Sequence, residues 1–191
     1  LELSIKFLKQ ELMKLLNGEF GLDMLVITKS LRGYYKNPQQ IAHKVLADRM
    51  GVRDPGNKPS SNDRIPYVYI EVKETKHTKD LQGNRIEHID YIREKNIKPD
   101  YKFYITNQIM KPVVQIYALI VEQLKGFKYD DDYYSKQLKI QLKTKIPEKA
   151  RKKIDDMRNK EAGDIIFGDV IREAENRKNR AVPITNFFKI K

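Results

Sequence analysis

Asp100-Tyr-Lys-Phe-Tyr-Ile-Thr-Asn-Gln108 is followed closely by Pro112-Val-Val-Gln-Ile-Tyr-Ala-Leu-Ile-Val-Glu-Gln-Leu124 in this chain of 191 residues. Apolar side chains recur every three or four positions in both stretches, which is the spacing of an amphipathic helix. Because proline lacks the amide hydrogen that a helix interior needs, we expect a helical pair or one kinked helix, with the break at Pro112. The same pattern predicts which side chains are buried: Ile105, Ile109, Ile116, Leu119 and Ile120.

The sequence before this region alternates between helical and strand-like patterns. Leucine and isoleucine at helical spacing predict a helix from Leu1 to about Leu15. Short β-branched runs predict strands at 24–28 and 65–72. Asn37 followed by Pro38 is typical of a helix start, so a second helix is predicted from there to about Met50. The fold class is therefore α+β and mainly α-helical, with a few short strands.

The amino-acid composition changes after Gly126. An acidic and tyrosine-rich stretch gives way to a lysine-rich one, and residues 147–174 have a helix-forming composition. We place a boundary near Asp130, which gives a first domain at 1–130, a charged helical tail at 131–180 and a C-terminal interaction peptide at 181–191.

The charge of the chain is strongly positive. Lysine and arginine number 38 against 26 acidic residues, a net charge of +12. A surplus of this size favours polyanionic partners such as nucleic acid. Residues 138–191 carry 15 basic and 8 acidic side chains, so the tail is more basic than the rest and the total charge does not show which part binds.

Several function classes are excluded by composition. The chain has no cysteine, so disulfides and thiolate metal sites are impossible, which fits an intracellular protein. No apolar run approaches the roughly 20 residues that span a bilayer, so no membrane partner is expected. The chain also begins at Leu1 inside a helical pattern and without methionine, which indicates that it was cut from a longer protein.

Searches for catalytic motifs find none. There is no glycine-rich phosphate loop and no nucleophile elbow. The three histidines are scattered rather than at ligand spacing. Asp130-Asp131-Asp132 is better interpreted as a solvated linker than as a two-metal site, because adjacent carboxylates on one backbone repel each other. We predict no catalytic residue and no metal site in this chain.

Three short segments instead place cationic, hydroxyl or amide groups beside structural elements: Thr28-Lys29-Ser30, Tyr34-Tyr35-Lys36-Asn37 and Ser60-Ser61-Asn62-Asp63-Arg64. Such groups hold phosphate oxygens without reading sequence. From spacing alone, nucleic-acid contact and ordinary solvated loops are about equally supported.

Five blocks of sequence, in this order, resemble the thumb segment of family B DNA polymerases. They cover the chain from the first helix to about Leu124, and they are Leu25-Val-Ile-Thr-Lys-Ser-Leu31, Tyr35-Lys-Asn-Pro-Gln39, Arg53-Asp-Pro-Gly56, Asp63-Arg-Ile-Pro-Tyr-Val68 and Pro99-Asp-Tyr-Lys-Phe-Tyr-Ile-Thr-Asn-Gln-Ile109. Asn62 departs from the family, which usually has glycine before Asp-Arg-Ile. Because asparagine tolerates positive φ better than most residues, we expect the turn to survive.

The resemblance implies a mainly helical thumb domain at 1–130 that closes on the primer–template DNA duplex. Such a grip has to be independent of sequence, so phosphate contacts suit it and base contacts do not. We expect Lys29, Ser30, Lys36 and Arg64 to contact phosphates. Tyr101 and Gln108 are expected near the duplex or bracing the loops that reach it, with core packing as the equally supported alternative for both.

The resemblance also implies what lies outside this chain. The family's palm, which holds two catalytic aspartates, its nucleotide-binding fingers and its exonuclease domain have no counterpart here. We therefore expect the chain to be an enzyme only as part of a DNA-directed DNA polymerase, a nucleotidyltransferase, and to be inactive alone. The parent is expected to use two Mg²⁺ ions and dNTPs in its palm and fingers, to pack its palm against this chain, and to work at a replication site in the nucleus or a viral compartment.

The tail segments Asp156-Met-Arg-Asn-Lys-Glu161, Ile165-Ile-Phe-Gly-Asp-Val170 and Ala181-Val-Pro-Ile-Thr-Asn-Phe-Phe188 resemble the tails of polymerases from large DNA viruses. Ile184, Phe187 and Phe188 are similar to the peptide by which replication proteins dock on a sliding clamp, with Ala181 where glutamine usually stands. The basic cluster Lys149–Lys153 is compatible with DNA binding and with simple solvation of a helix.

One rival comes from another class of protein. A free-standing basic adaptor that binds nucleic acid and a protein partner would show the same charge. A protein of the membrane surface is a weaker third possibility, because the basic stretches lack a broad aromatic-rich apolar face.

Overall fold

The computed structural model describes residues 1–72, 81–130 and 132–178. It confirms the predicted fold class, since helices dominate and the strands form one small antiparallel sheet. The helices are α1 (Glu2–Leu16), α2 (Ala42–Arg53), α3 (Ile89–Lys95), α4 (Tyr101–Phe103), α5 (Met110–Tyr117), α6 (Tyr133–Leu142) and α7 (Pro147–Lys178). The strands are β1 (Ile27–Ser30), β2 (Arg64–Tyr69) and β3 (Ile86–His88). Short 3₁₀ turns occupy Leu22–Leu25, Pro38–Gln40, Pro55–Asn57, Gln82–Arg85 and Ala118–Gln123, and a π-helical segment occupies Tyr104–Ile109.

The chain divides into two compact units. The sheet unit is Phe20–Asp100. The helical unit joins Leu1–Glu19 to the chain from Tyr101 onward. The predicted boundary near Asp130 rests on the change in composition after Gly126, and it stays a prediction.

In the sheet unit, β2 is the central strand and pairs antiparallel with β1 on one side and β3 on the other. Val68 and Ile86 are fully buried, as is Leu46 of α2, and these side chains form the core of the unit. Pro66 is tolerated in this central strand because β3 pairs only with Tyr67, Val68 and Tyr69. The proline therefore lies where β2 has a strand on one side only.

A buried ion-pair network ties α2 to the sheet. Arg53 donates to both carboxylate oxygens of Glu87 at 3.0 and 2.8 Å, and Arg49 lies 3.4 Å from the same carboxylate. The Arg53 guanidinium also stacks over the ring of Tyr91, 3.8 Å from its centroid. Arg53, from one of the five blocks that resemble the family, thus has a structural role within the sheet unit.

Two elements in the sheet unit begin later than predicted. The run expected as a strand at 24–28 begins as a 3₁₀ turn, and β1 starts only at Ile27. The side chain of Asn37 makes no capping hydrogen bond, and Pro38 opens a 3₁₀ turn. Helix α2 begins four residues later, at Ala42. The β-branched residues and the Asn-Pro pair specified the kind of element but not its register.

The helical unit contains the quoted stretch as one continuous but irregular helical run. One irregularity lies before Pro112, in the π-helical segment, where the Met110 N–H bonds to the carbonyl of Ile105. A proline ring collides with the carbonyl four residues earlier in a regular helix, and a widened turn relieves that collision. Thr106 and Asn107 donate from their side chains to the carbonyls of Lys102 and Phe103, at 2.9 and 3.3 Å. A second irregularity lies at Ile120, whose φ of −128° and ψ of 28° are not helical.

The widened turn also changes which side chains are buried. Ile105 is buried as predicted, but Ile116 and Leu119 are 66% and 76% exposed, so the prediction for these two is wrong. Ile109 and Ile120 are partly buried. The extra residue in the π segment rotates the helix face, and Val114, Ala118 and Val121 face the core instead.

Helix α7 contributes to the core of the helical unit. Its buried side chains recur at helical spacing and contact α1, α4 and α5. They are Ala150, Ile154, Ala162, Ile166, Phe167, Val170 and Ala174. Arg158 fastens the helix by donating to both carboxylate oxygens of Glu122 and to the carbonyl of Ala118 at 2.9 Å. The charged helical tail is therefore a packed element over the residues that the structure describes.

Candidate nucleic-acid interface

The candidate interface lies at the end of the β1–β2 ribbon in the sheet unit. Ser30 is paired directly with Arg64, and Lys29 with Ile65. Paired residues of antiparallel strands share a face, and successive residues alternate. Ser30 and Arg64 therefore emerge on one face of the ribbon and Lys29 on the other. All three are exposed, beyond the part of β2 that pairs with β3.

The turn that leads into β2 keeps the predicted geometry. Asn62 adopts φ 74°, in the left-handed region that asparagine tolerates better than most residues. The Asp63 carboxylate accepts hydrogen bonds from the Ser60 N–H and hydroxyl, at 2.7 and 3.0 Å. The turn also returns to the end of β1, because the Asn62 N–H donates to the Leu31 carbonyl at 2.9 Å. The expectation that this turn survives the substitution is confirmed.

The loop after β1 is fixed against α2 by a chain of hydrogen bonds. The Tyr35 hydroxyl accepts from the Arg32 N–H at 2.7 Å and lies 3.1 Å from Nε2 of His43. A hydroxyl that already accepts a hydrogen bond still has its own proton to donate, which suits a neutral imidazole. His43 also hydrogen-bonds the backbone of Ser30. These hydrogen bonds anchor the loop that carries Arg32 and Lys36 to α2.

The pKa of His43 reports the positive field at this place. Burial lowers its pKa below the ordinary value, and the positive charges of Lys29 and Arg32 lower it further. These two cations therefore lie beside a neutral imidazole, an arrangement that an approaching anion would stabilise.

Ion pairing separates the cations of the sheet unit into two groups. The cations with acidic partners are Lys44, Arg49, Arg53, Arg85, Arg93, Lys95 and Lys98. Five others have no acidic side chain within ion-pair distance among the residues that the structure describes: Lys29, Arg32, Lys36, Lys58 and Arg64. All five belong to the ribbon end, its loop or the turn before β2. We call these five residues the unpaired cation cluster.

Three of the four predicted phosphate contacts, Lys29, Lys36 and Arg64, belong to this cluster, and Ser30 lies opposite Arg64. Sequence reasoning missed Arg32 and Lys58. Arg32 lies between the segments 28–30 and 34–37, both of which carry candidate phosphate contacts, so its position in the sequence already indicated the same role. Lys58 lies two residues before the segment that begins at Ser60, and in the structure its side chain packs against Gly51 of α2.

Tyr101 and Gln108 belong to the helical unit. Tyr101 is partly buried, and a Cβ on Gly18 would lie 3.0 Å from its hydroxyl oxygen, so the ring packs against the end of α1. Gln108 is exposed on the π-helical segment. Their suggested roles at the duplex stay predictions. The clamp-peptide residues Ile184, Phe187 and Phe188 lie outside the described residues.

An open groove of about 1000 Å³ runs along α1 and holds none of the predicted contacts. Four lysines line it. Lys9 and Lys14 are neutralised by Asp169 and Glu11 at 3.1 and 2.7 Å, whereas Lys6 and Lys125 have no acidic partner among the described residues. The groove therefore offers two unpaired cations, fewer than the unpaired cation cluster.

The described part of the chain forms no metal site and no membrane-spanning helix. No group of three or more acidic, histidine or cysteine side chains there could hold a metal ion. None of the helices in residues 1–72, 81–130 and 132–178 is long and apolar enough to cross a membrane.

Comparison with known proteins agrees with the resemblance in the sequence. The family model described as DNA polymerase family B matches residues 1–120. This chain belongs to DNA polymerase family B.

Individual relatives include viral and cellular polymerases. The chain is 46% identical over 188 residues to a DNA polymerase of Pyramimonas orientalis virus, covering 98% of this chain and 16% of that protein. It is 50% identical over 133 residues to a DNA polymerase of Acanthamoeba polyphaga mimivirus, covering 68% of this chain and 8% of that protein. It is 31% identical over 135 residues to the DNA polymerase delta catalytic subunit of Candida albicans, covering 71% and 12%. The chain thus spans less than a fifth of each of these relatives.

Proposed function

We propose that this chain is the thumb portion of a DNA-directed DNA polymerase and that it grips the primer–template duplex through phosphate contacts. The observation that carries the proposal is the unpaired cation cluster. Cations with acidic partners are spread over the rest of the sheet unit, whereas those without partners belong to the β1–β2 ribbon end and to the segments that adjoin it in sequence.

The chemistry of this region suits a polymerase. A polymerase has to move over every sequence that it copies, so its grip cannot depend on base edges. Lys29, Lys36 and Arg64 supply charge, and Ser30 supplies a hydroxyl beside Arg64. Lysine, arginine and hydroxyl groups are the usual partners of phosphate oxygens. The anchored loop and turn hold these groups in place before DNA arrives, which reduces the entropy cost of binding.

The parent enzyme remains part of the proposal. In it, a palm outside this chain would hold two Mg²⁺ ions and the dNTP would bind in the fingers, so that this chain contributes grip rather than chemistry. We also propose that residues 1–130 form the thumb domain and that residues 181–191 dock on a sliding clamp. Both proposals rest on the resemblance in the sequence.

The test is duplex binding by the 191-residue chain over a salt series, with unrelated duplex sequences. A triple variant, Lys29→Ala, Lys36→Ala and Arg64→Ala, is compared with a matched control that removes two lysines and one arginine from the same unit, Lys95→Ala, Lys98→Ala and Arg93→Ala. The control residues are exposed but have acidic partners.

The proposal predicts that the slope of log K against log salt becomes shallower by about 2–3 in the triple variant, because each lost phosphate contact removes about 0.9. The control should keep nearly the full slope. Equal losses in the two variants would mean that total charge governs binding and that the cluster is not the grip.

A further inference from the structure

The second half of the described chain carries another group of unpaired cations. Helices α6 and α7 form a hairpin, and residues 139–153 are its tip. The tip contains seven basic residues and one acidic residue, Glu148. Among the described residues, none of these seven cations has an acidic partner within ion-pair distance. They are Lys139, Lys143, Lys145, Lys149, Arg151, Lys152 and Lys153.

Three of the five cations whose side chains the structure describes elsewhere on the hairpin have acidic partners, whereas Lys160 and Arg172 do not. Arg158 pairs with Glu122, Arg177 with Glu173, and Lys136 with Asp130. The tip therefore has a higher density of cations without acidic partners than the rest of the hairpin.

The hairpin holds its tip on a packed base. Tyr134 of α6 is buried and stacks with Phe127, with 6.2 Å between ring centroids. The Arg158 guanidinium lies 4.7 Å from the Tyr134 ring centroid. In α7, Ala150 and Ile154 face the core, so Lys149, Lys152 and Lys153 project from the remaining surface of the helix.

Lysines at the start of α7 do not help the helix. The N-terminal end of a helix carries partial positive charge and is stabilised by acidic side chains, whereas cations there are unfavourable. Lys149, Arg151, Lys152 and Lys153 occupy the first two turns of α7, with Glu148 as the single acid. Lys139 and Lys143 are different, because they lie at the end of α6, where cations are favourable. Helix stability thus accounts for the cations of α6 but not for those of α7.

Three aliphatic side chains are also exposed at the tip, namely Ile140, Leu142 and Ile146. Membrane-binding faces combine cations with a broad apolar surface that is rich in tryptophan, phenylalanine or leucine. Three scattered aliphatic residues among seven cations do not make such a face, and single exposed apolar side chains are ordinary. A phosphate backbone is the better match.

We propose that the α6–α7 tip is a second phosphate-binding surface for duplex DNA. It lies outside residues 1–120, which the family model matches, so it adds to the contacts of the family segment. The choice of duplex DNA as the occupant rests on the proposed function, whereas the surface itself rests on its charge and packing.

The test uses the 191-residue chain with four tip cations replaced by glutamine, a good helix former that preserves α7. The control replaces four exposed cations of the helical unit that also lack acidic partners among the described residues. The tip variant is Lys143→Gln, Lys149→Gln, Lys152→Gln and Lys153→Gln, and the control is Lys111→Gln, Lys128→Gln, Lys160→Gln and Arg172→Gln. Duplex binding over a salt series is measured for both, together with their thermal midpoints and their binding to vesicles of anionic lipid.

The tip variant is expected to bind duplex about tenfold or more weakly at 100 mM salt, with a slope shallower by about 2–4. Its thermal midpoint should be unchanged or higher, because unfavourable charges at a helix start are removed. The inference is overturned if tip and control variants bind duplex equally, or if the tip substitutions abolish vesicle binding and leave duplex binding intact. If only the Lys29, Lys36 and Arg64 variant loses duplex binding, the proposal for the α6–α7 tip is refuted and the proposed grip stands. Conversely, a loss confined to the tip variant would support the tip and refute the proposed grip.

Discussion

At the residue scale, the difference between Arg53 and Arg64 shows how partners decide what a cation can do. Arg53 is committed to Glu87 and Tyr91 inside the sheet unit. Arg64 lies opposite Ser30 without an acidic partner among the described residues. Both arginines fall in blocks that resemble the family, so resemblance alone assigns them no roles. The ion-pair pattern separates the structural arginine from the one that is free to bind.

His43 gives a direct measure of the field around the candidate interface. We expect its pKa, followed by NMR titration of the imidazole protons, to lie below 6.5 in the free protein. In the variant Lys29→Gln, the pKa should rise, because Lys29 is one of the charges that lower it. The variant Lys98→Gln, in which a lysine paired with Glu71 is changed, should leave it in place.

The sign of this shift also fixes a pH dependence. Because the folded state disfavours the protonated imidazole, the unfolded chain takes up the proton more readily, and this term removes stability as the pH falls below 6.5. An unchanged His43 titration in Lys29→Gln would show that Lys29 does not contribute to the field at the ribbon end.

Glu87 holds two arginines, and its loss should be costly. Burial acts to raise the pKa of Glu87, but the hydrogen bonds from Arg53 and the His88 N–H outweigh it and leave the pKa below its ordinary value. We expect Glu87→Gln to lower the free energy of unfolding by about 2–4 kcal/mol at pH 7, because it leaves partly buried arginines without their counter-charge. Chemical denaturation measures this.

The matched control is Glu94→Gln, whose carboxylate pairs with Lys95 at the surface. This change should cost less than about 1 kcal/mol. Because the folded pKa of Glu87 is lowered, its contribution is present above pH 4.5 and is lost as the pH falls through that lowered pKa. A deficit in Glu87→Gln that grows as the pH falls below 4.5 would contradict this assignment.

At the element scale, periodicity predicted the kinds of element well and their registers less well. The first helix and the amphipathic run after residue 100 were visible in the spacing of apolar residues. The π-helical segment was not, because its cause is a collision between Pro112 and a carbonyl, which a count of apolar spacing does not register. That one extra residue turned Ile116 and Leu119 outward. Likewise, the start of β1 depends on pairing with β2, a contact that lies more than 30 residues away in sequence.

The candidate interface was predictable in part for a related reason. Lys29, Ser30, Lys36 and Arg64 carry the right chemistry in the sequence. Whether a cation is free or paired is decided by side chains from other elements, as the Glu87 network shows. Arg32 and Lys58 therefore joined the cluster only once the structure showed that they lack acidic partners among the described residues.

The buried side chains of helix α7 form part of the core of the helical unit. Phe167 is fully buried, whereas Phe7 of α1 is 64% exposed. We expect Phe167→Ala to cost about 3–5 kcal/mol of unfolding free energy. Phe7→Ala removes the same side chain from an exposed position and should cost less than about 1 kcal/mol. Thermal and chemical denaturation of the two variants provide the comparison.

Two similar values would show that α7 is not packed as described. The same packing bears on truncation, because a chain that ends at Asp130 would expose the apolar surface that α7 covers. Point substitutions are therefore cleaner than truncation for separating the roles of the two cation groups.

At the scale of the whole molecule, a net charge of +12 guarantees some affinity for any polyanion. A phosphate grip adds a stricter requirement, which is indifference to base sequence. We expect duplexes of equal length and unrelated sequence to bind the chain within about twofold of one another, because no base contact is part of the account. Fluorescence anisotropy at fixed salt measures this, and a preference of tenfold or more for one sequence would require base readout.

The central claim is that the ribbon end of the sheet unit contacts duplex DNA, and lysine footprinting tests it most directly. Lysines of the 191-residue chain are acetylated with and without saturating duplex at low salt, and mass spectrometry compares the rates residue by residue. The account predicts that Lys29 and Lys36 react much more slowly in the complex, while Lys95 and Lys98, on the same unit, react at unchanged rates. If Lys29 and Lys36 react as fast in the complex as in the free chain, the duplex is held elsewhere and the proposed grip is wrong.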